Sequence, residues 1–523
     1  MCLSVAVVAV CASCTGRRSV SQEASGTDSI VSDTITAPAV TSLPDSAMES
    51  AGAVSYRVEI IDTLTPPDID PASDLYADAP GVMTFRGGLS RDASYGGSVE
   101  GTPSEITVDW VFTTDTDMRE TKYGRWGGGT GWTGQPLYVE WPDEAMNRFR
   151  QQGVIDSSAS GREIIVGSLA SRIYFIDYDT GKATRRPLET GNPIKGTVSL
   201  DPTLNGNLYA GHGVPADRPF GALTFNLFTH SLIHTFPEDP RADRRWGAYD
   251  SSPVRAGRFL IRPGENGTIY KWLIADDGTP SLHSLMRYRV SGAAPGIESS
   301  MSVYRNYGYL ADNHGNVICL NLDTLRPIWL YRMGDDTDAT PVVAVESDGM
   351  PYLYVGSEID RQVTGHASFV KLNALTGKPV WERRIEGMRY DSEDGKHFDG
   401  GFYGSPLLGQ GQSSDIVMAN CVLNLDGQNG VLLAFDRATG ATRWTARLRY
   451  YSWNSPVGFV NEDGAMFVLD GDCAGNLYLF DATDGKLVTR RATGNNFESS
   501  AVVKDNTAVI GSRGNSIYKI SIR

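Results

Sequence analysis

The sequence predicts an all-β protein, an eight-bladed β-propeller of four-stranded antiparallel blades. Glycine, tyrosine and tryptophan are abundant, with 57, 23 and 10 copies in 523 residues, and no long stretch shows helical periodicity. A strand–turn–strand phrase, clearest at Ala434–Trp444, recurs along the chain. The final unit lacks its fourth strand, and a lone strand near the start can supply it. These three observations together indicate a closed ring of repeats.

The recurring phrase runs from a strand that ends in Asp or Asn, through a tight turn, into a strand that opens with Trp. In Ala434–Trp444, Gly440 gives the turn its backbone freedom, and the side chain of Asp436 can accept hydrogen bonds from backbone amides across it. Copies with sequence drift lie at 371–381, 176–182, 320–329 and 480–486.

Each unit is predicted to contain four strands. The first strand follows a Ser/Thr-Pro phrase, the second is apolar, and the Gly/Asn turn after the second suits a hairpin. Seven complete units can be counted, and the eighth, at 506–523, stops after its third strand. The strand at 105–112 is expected to complete it, because ring closure removes free strand edges. The polar insertion at 386–401 is expected to be a surface loop.

Composition and residue spacing argue against nucleic acid as a partner and against a metal site. The chain has 47 Lys and Arg against 62 Asp and Glu, a net charge of −15, and it has no basic run, so nucleic acid is not an expected partner. Cys319, Cys421 and Cys473 lack metal-ligand spacing and are expected to be free and buried. The seven histidines also lack such spacing, so no metal site is predicted.

Residues 1–14 resemble the signal peptide of a bacterial lipoprotein. The apolar run Leu3–Ala12 is too short to span a bilayer, and small residues precede Cys14, which would become the lipidated residue. Cys11 stands where such signals usually have Leu, and no Lys or Arg precedes the run. A plain secretory signal cut near Cys14 is the alternative, and both imply export.

Residues 15–70 are rich in Ser, Thr, Ala and Asp and are expected to form a flexible tether. Residues 71–523 are expected to form the propeller. We therefore expect a protein of the cell envelope, held to a membrane by an N-terminal lipid anchor and facing the periplasm or the cell surface.

The repeat resembles the tryptophan-docking motif of PQQ-dependent (quinoprotein) dehydrogenases and their non-catalytic relatives. Residues 83–91, MTFRGGLSR, likewise resemble the Phe-Arg-Gly segment that precedes the first blade in these proteins. The resemblance covers Thr84 to Arg523 and implies that the Trp of each blade packs on the next blade. The docking position holds Trp110, Trp329, Trp381 and Trp444, with Arg185, His234, His283 and Thr489 at or near it in the other units.

The resemblance carries over no catalytic residue. Enzymes of the family need a catalytic Asp, a calcium site of Glu and Asn and, in many members, adjacent cysteines, and no local motif matches these here. PQQ with Ca²⁺ therefore enters only under the alternative hypothesis, a periplasmic quinoprotein dehydrogenase, and enzymatic activity stays an open question.

The favoured hypothesis is a non-enzymatic scaffold of the bacterial envelope that holds protein or glycan partners and has no cofactor. Its nearest functional analogue is the propeller lipoprotein of the outer-membrane β-barrel assembly machinery, which this chain resembles in repeat type and anchoring. We expect such a scaffold to be monomeric.

The loops that lead into the first strands should converge at one mouth of the central channel. Acidic and aromatic residues flank the Ser/Thr phrases there, and such clusters mark binding surfaces. In the alternative interpretation the acids cap loop amides and the rings pack between blades. The predicted mouth residues are Trp132, Tyr249, Asp250, Glu298, Phe402, Tyr403, Trp453, Phe497 and Glu498, with Lys195 and Asp338 beside them.

Overall fold

The computed structural model describes residues 48–50, 54–64, 68–93, 95–131, 134–391, 397–425 and 427–523. They form eight sheets arranged as the blades of a β-propeller, and the predicted fold class is confirmed. The predicted signal segment, Cys14 and Trp132 lie outside the described residues. No helix within the described ranges has the length and apolar character needed to cross a bilayer.

In each of the first four blades the strands follow one another from the channel outward. Blade 1 contains Leu137–Glu140, Arg162–Ser168, Arg172–Asp177 and Leu188–Glu189, with Gly81–Val82 along its inner edge. Blade 2 contains Ser199–Leu200, Asn207–Gly211, Gly221–Asn226 and Ser231–Pro237. Blade 3 contains Val254–Ala256, Phe259–Pro263, Thr268–Ile274 and Pro280–Val290. Blade 4 contains Ser302–Tyr304, Tyr307–Ala311, Asn316–Asn321 and Arg326–Arg332.

The remaining blades continue the ring. Blade 5 contains Val342–Val345, Pro351–Gly356, Thr364–Asn373 and Pro379–Met388. Blade 6 contains Leu407–Leu408, Ile416–Val422, Gly430–Asp436 and Thr442–Leu448, joined by Glu358–Ile359 and Gly400–Gly401. Blade 7 contains Val457–Asn461, Met466–Gly471, Asn476–Asp481 and Leu487–Ala492, with Gly97–Val99 on its inner edge. Blade 8 contains Val502–Lys504, Thr507–Gly511, Ser516–Ile522 and Ile106–Thr113.

The ring closes in blade 8, where the two ends of the propeller share one sheet. Ile106–Thr113 pairs antiparallel with Ser516–Ile522, so that Phe112 lies opposite Ile517. Ile106 is 4% exposed and packs in the core of this joint. The closing strand therefore satisfies a backbone edge that would otherwise face solvent.

The outer edges of blades 3 and 4 each gain a strand that the sequence did not predict. Val54–Ile60 pairs with Pro280–Val290 of blade 3, and Met48–Ser50 pairs with Arg326–Arg332 of blade 4. The prediction of a flexible tether over 15–70 is wrong for this part, because the exposed backbone groups of an outer strand can pair with a further strand.

Two other segments differ from the prediction or add to it. An α-helix, Asp143–Gln151, lies between the first two strands of blade 1, with acids in its first turn and arginines in its last, as the helix dipole favours. The insertion at 386–401 contains a short hairpin, Tyr390–Asp391 with His397–Phe398. Further short elements are the pair Thr116–Asp117 and Gly127–Gly128 and the 3₁₀ turn Gly411–Ser413.

Each of the four predicted docking tryptophans lies on a turn of the next blade. The indole N–H donates to a backbone carbonyl of that turn, and the ring lies on the turn's glycine, where an added Cβ would come within 2.7 Å of the indole. The donor–acceptor pairs are Trp110 with Tyr178 at 3.0 Å, Trp329 with Ala374 at 3.0 Å, Trp381 with Arg437 at 3.0 Å, and Trp444 with Ala482 at 2.8 Å.

Strand register identifies the residue at the docking position in blades 2 and 3. His234 pairs with Thr224 at the docking position of blade 2, as predicted. In blade 3 the position belongs to Ser284, opposite Lys271, while His283 is the bulge residue before it. The assignment of His283 is therefore displaced by one residue, because the bulge adds one residue to the strand.

The Ser/Thr-Pro phrases form a chain of hydrogen bonds around the channel. The backbone N–H of one blade's phrase donates to the hydroxyl of the next blade's phrase. These phrases therefore join neighbouring blades rather than carry chemistry. The pairs are Ser252 with Ser300, Ser300 with Thr340, Ser405 with Ser455, and Ser455 with Ser500, all between 2.8 and 2.9 Å.

Candidate functional site

The central channel is filled by two buried arginines from the segment before the first blade. Arg86 donates to the carbonyl oxygens of Pro406 at 2.8 Å and Pro456 at 3.3 Å. Arg91 donates to Met301 O at 2.9 Å and Ser252 O at 3.1 Å. Each guanidinium therefore satisfies carbonyl groups that converge from several blades.

A small cavity lies above this plug, at the end of the channel where the first strands begin. Phe85 and the hydroxyls of the Ser/Thr phrases line it together with acidic and aromatic side chains. The rings of Tyr403 and Trp453 pack against each other with centroids 5.2 Å apart. The acids at the cavity are Glu298 and Asp338. We call this end of the channel the mouth.

One group of carboxylates surrounds a lysine beside the cavity. Lys195 forms an ion pair with Asp250, and its Nζ lies 3.7 Å from Glu298 and 4.0 Å from Glu265. The side chains of Lys195 and Asp250 are 3% and 0% exposed. Trp246 Nε1 also donates to Glu265 at 2.7 Å. One buried cation therefore faces three acids.

A second group of carboxylates has no ion pair with a basic side chain among the described residues. Asp336, Asp338 and Glu358 bring ligand oxygens within 4.8 Å of one another, as do the three acids around Lys195. Glu358 accepts a hydrogen bond from the backbone N–H of Asp338 at 3.1 Å. Carboxylate oxygens suit Ca²⁺ or Mg²⁺, so this group has the donors for a hard cation.

Several carboxyl groups at the mouth have raised pKa values because they are buried. Burial raises the pKa of Asp250 to about 6 and that of Asp399, which accepts a hydrogen bond from the Tyr403 hydroxyl at 3.2 Å, to about 7. Burial and then neighbouring carboxylates hold the pKa values of the remaining members well above the ordinary range. Those members are Glu265, Asp336, Asp338 and Glu358. A cation entering the mouth would replace protons and relieve this repulsion.

The structure brings some predicted mouth residues together and separates others. Glu298, Tyr403 and Trp453 line the cavity. Asp250 lies beside it, while Glu498 is buried against Arg513, with 3.5 Å between the charged groups. The rings of Tyr249, Phe402 and Phe497 are between 0% and 1% exposed. They pack between strands and present no surface at the mouth, so the expectation for these three is wrong.

Three acids of the mouth escaped the sequence prediction. Glu265 follows Gly264 in a turn interpreted only as a hairpin, Glu358 follows Gly356-Ser357, and Asp336 precedes the Thr phrase of blade 5. The turn between second and third strands reaches the same end of the channel as the loop into the first strand. The sequence did contain a signal for two of these acids. Glu265 and Glu358 each follow, by one or two residues, a glycine at the end of a second strand.

The residues at the mouth do not fit PQQ. The cofactor is an anion with three carboxylates, whereas two acids line the cavity and the lysine beside it, Lys195, already faces three acids, one of which is the cavity's Glu298. The two guanidiniums below the cavity are occupied by backbone carbonyls. An anion of this charge would find no basic side chain among the described residues that line the cavity.

Repeat, closure and docking geometry define this chain as an eight-bladed β-propeller, and the comparisons support the predicted resemblance to PQQ-like propellers. Residues 428–523 match the family model described as "Outer membrane protein assembly factor BamB". No curated protein matches the sequence.

Solved structures similar to this chain include two dehydrogenases and a BamB protein. The quinohemoprotein alcohol dehydrogenase of Comamonas testosteroni aligns over 86% of this chain and 82% of its own, with 12% identity and a TM-score of 0.56. A europium-containing methanol dehydrogenase aligns over 86% and 99%, with 11% identity and a TM-score of 0.53. BamB from Moraxella catarrhalis aligns over 69% and 94%, with 15% identity and a TM-score of 0.47. At these identities the likeness concerns the fold alone.

Proposed function

We propose that this protein is a non-enzymatic scaffold of the bacterial cell envelope that holds a protein partner at the mouth of the propeller. The observation that carries the proposal is the surplus of carboxylates around a cavity walled by Tyr403 and Trp453. A lysine or arginine side chain of a partner would find both ion pairing and an aromatic face there.

The negative sign of the charge at the mouth favours a protein partner over a glycan. Sugar hydroxyls can donate hydrogen bonds to Glu298 and Asp338, whereas a basic segment gains ion pairs with these acids as well. The match of residues 428–523, from the last two strands of blade 6 to the C-terminal strands of blade 8, to the BamB family model supports outer-membrane protein assembly as the setting. Residence in the envelope is part of the same proposal.

Site-specific photocrosslinking in cells tests this function. A photoreactive amino acid replaces Arg361, an exposed residue whose guanidinium lies 3.9 Å from Asp335 at the mouth end. The matched control replaces Lys182, exposed in a turn at the opposite end of blade 1. We expect a crosslink to an outer-membrane assembly component from position 361 alone. Equal crosslinking from both positions, or capture of cytoplasmic proteins only, contradicts the proposal.

The quinoprotein dehydrogenase alternative has its own test. The purified protein is mixed with PQQ and Ca²⁺, desalted, and assayed for retained quinone absorbance and for dye reduction with alcohols or sugars. We expect the absorbance to wash away, because no basic side chain among the described residues lines the cavity. Retained quinone together with dye reduction would overturn the scaffold proposal.

A further inference from the structure

A second small cavity lies between blades 2 and 3, where the docking position of blade 2 holds His234. The imidazole is smaller than the indole that fills this position in other blades. The cavity has a volume of about 20 Å³, enough for one water-sized or slightly larger species. Its lining includes Thr224, His234, Phe236, Arg262 and Trp272.

Arg262 is the unusual member of this cavity. The residue is 4% exposed, and its Nη1 donates to the carbonyl of Ala210 at 3.0 Å. Its Nε and Nη2 have no hydrogen-bond partner among the described residues. Burial lowers the pKa of Arg262 to about 10, so the group still carries its charge at neutral pH. A buried charge with unmade hydrogen bonds is costly unless something compensates it.

Other buried arginines of this chain are compensated by carboxylates or, like Arg86 and Arg91, by several backbone carbonyls. Arg185, at the docking position of blade 1, lies 2.7 Å from Glu163, and Arg255 lies 3.0 Å from Asp201. Arg262 has no such ion pair within the described part of the chain, and its nearest compensation is the ring of Tyr249, 5.8 Å from its Cζ. The missing partner at this joint is therefore a hydrogen-bond acceptor for two N–H groups, and an anion would supply it and compensate the charge as well.

We propose that the cavity between blades 2 and 3 binds a small monovalent anion, of halide or single-carboxylate size, held by the guanidinium of Arg262 and the imidazole of His234. A water molecule could accept the free N–H groups but would leave the charge uncompensated. The packed rings of His234 and Trp272, with centroids 5.1 Å apart, keep the site narrow and exclude larger anions. The anion would join the two blades where an indole joins others.

Bromide provides a direct test on the intact protein. Crystals grown with bromide as the anion should show an anomalous peak within hydrogen-bond distance of Arg262 Nε or Nη2. Crystals grown with acetate separate a halide from a carboxylate at the same place. A site that holds only water under both conditions overturns the proposal.

Thermal unfolding at constant ionic strength gives the solution counterpart. We expect the Tm of the wild type to rise by about 1–2 °C for each tenfold increase in chloride above the Kd. Arg262→Met should abolish this dependence. Because Arg262→Met places a new side chain in a buried site, His234→Trp serves as a second variant. It fills the cavity with the indole ring that occupies the docking position in other blades. This variant should fold, and its Tm should not depend on chloride. A chloride response that survives in both variants contradicts the assignment.

Discussion

Replacement of Trp444 by Ala should cost a large share of the protein's stability. The indole is 8% exposed, packs on Gly485 and donates to Ala482 O at 2.8 Å. Truncation of a buried Trp to Ala costs about 3–5 kcal/mol, and the unpaired carbonyl is part of that cost. Urea unfolding, followed by far-UV circular dichroism, measures the free energy of unfolding at constant m-value.

Two control variants separate the docking contact from general packing. Trp444→Phe keeps a ring but loses the N–H donor and should cost about 1–2 kcal/mol. Thr489→Ala, at the same position of blade 7, should cost less than about 1 kcal/mol, because its partly exposed side chain makes little contact. Equally mild losses for Trp444→Ala and Thr489→Ala would refute a docking role for the indole.

Three further predictions concern the closure, the plug and pH. Ile106→Asp buries a charge in the closing strand, so the free energy of unfolding should fall by about 3 kcal/mol. Proteolysis should begin in blade 8. An unchanged urea midpoint would contradict ring closure by this strand. Arg86→Met leaves converging carbonyls unpaired and should cost about 3 kcal/mol by the same measurement, whereas no loss would show that the plug is dispensable. Burial raises the pKa of Asp470 from 3.8 to about 7. The stability that its protonated carboxyl contributes is therefore present below pH 4 and is lost as pH rises through 7, by about 4 kcal/mol. Asp470→Asn should therefore flatten the fall in stability between pH 5 and pH 8, and an unaltered slope would refute the assignment.

Much of the fold could be predicted because its signals are local. A Thr-Gly turn, a Trp four residues later and a Ser/Thr-Pro phrase all recur at a fixed spacing, and each device joins neighbouring blades. The prediction could place His283 only at or near the docking position, because a bulge shifts register without a sequence signature. The outer strand Val54–Ile60 escaped notice because its partners lie more than 200 residues away.

The mouth was harder to predict because its parts come from separate blades. Lys195 and Glu265 are 70 positions apart, and only the ring geometry brings them within 4.0 Å. Tyr249 and Phe402 looked like surface aromatics beside polar residues, yet the small glycines at 211 and 356 admit them between strands. Sequence proximity to a loop does not distinguish a ring that faces the channel from one that packs below it.

In the proposed function Glu298 and Asp338 hold a cationic partner, and peptide binding tests this role. Fluorescence anisotropy compares a labelled Lys/Arg-rich peptide with a Glu-rich peptide of equal length, on the wild type and on Glu298→Gln/Asp338→Asn. The double variant should keep or raise its Tm, since it removes like charges from the mouth. We predict that the wild type binds only the basic peptide, that added salt weakens this binding, and that the double variant loses at least about tenfold in affinity. Equal binding of both peptides, or undiminished affinity in the folded double variant, would contradict a mouth built to hold a cationic partner.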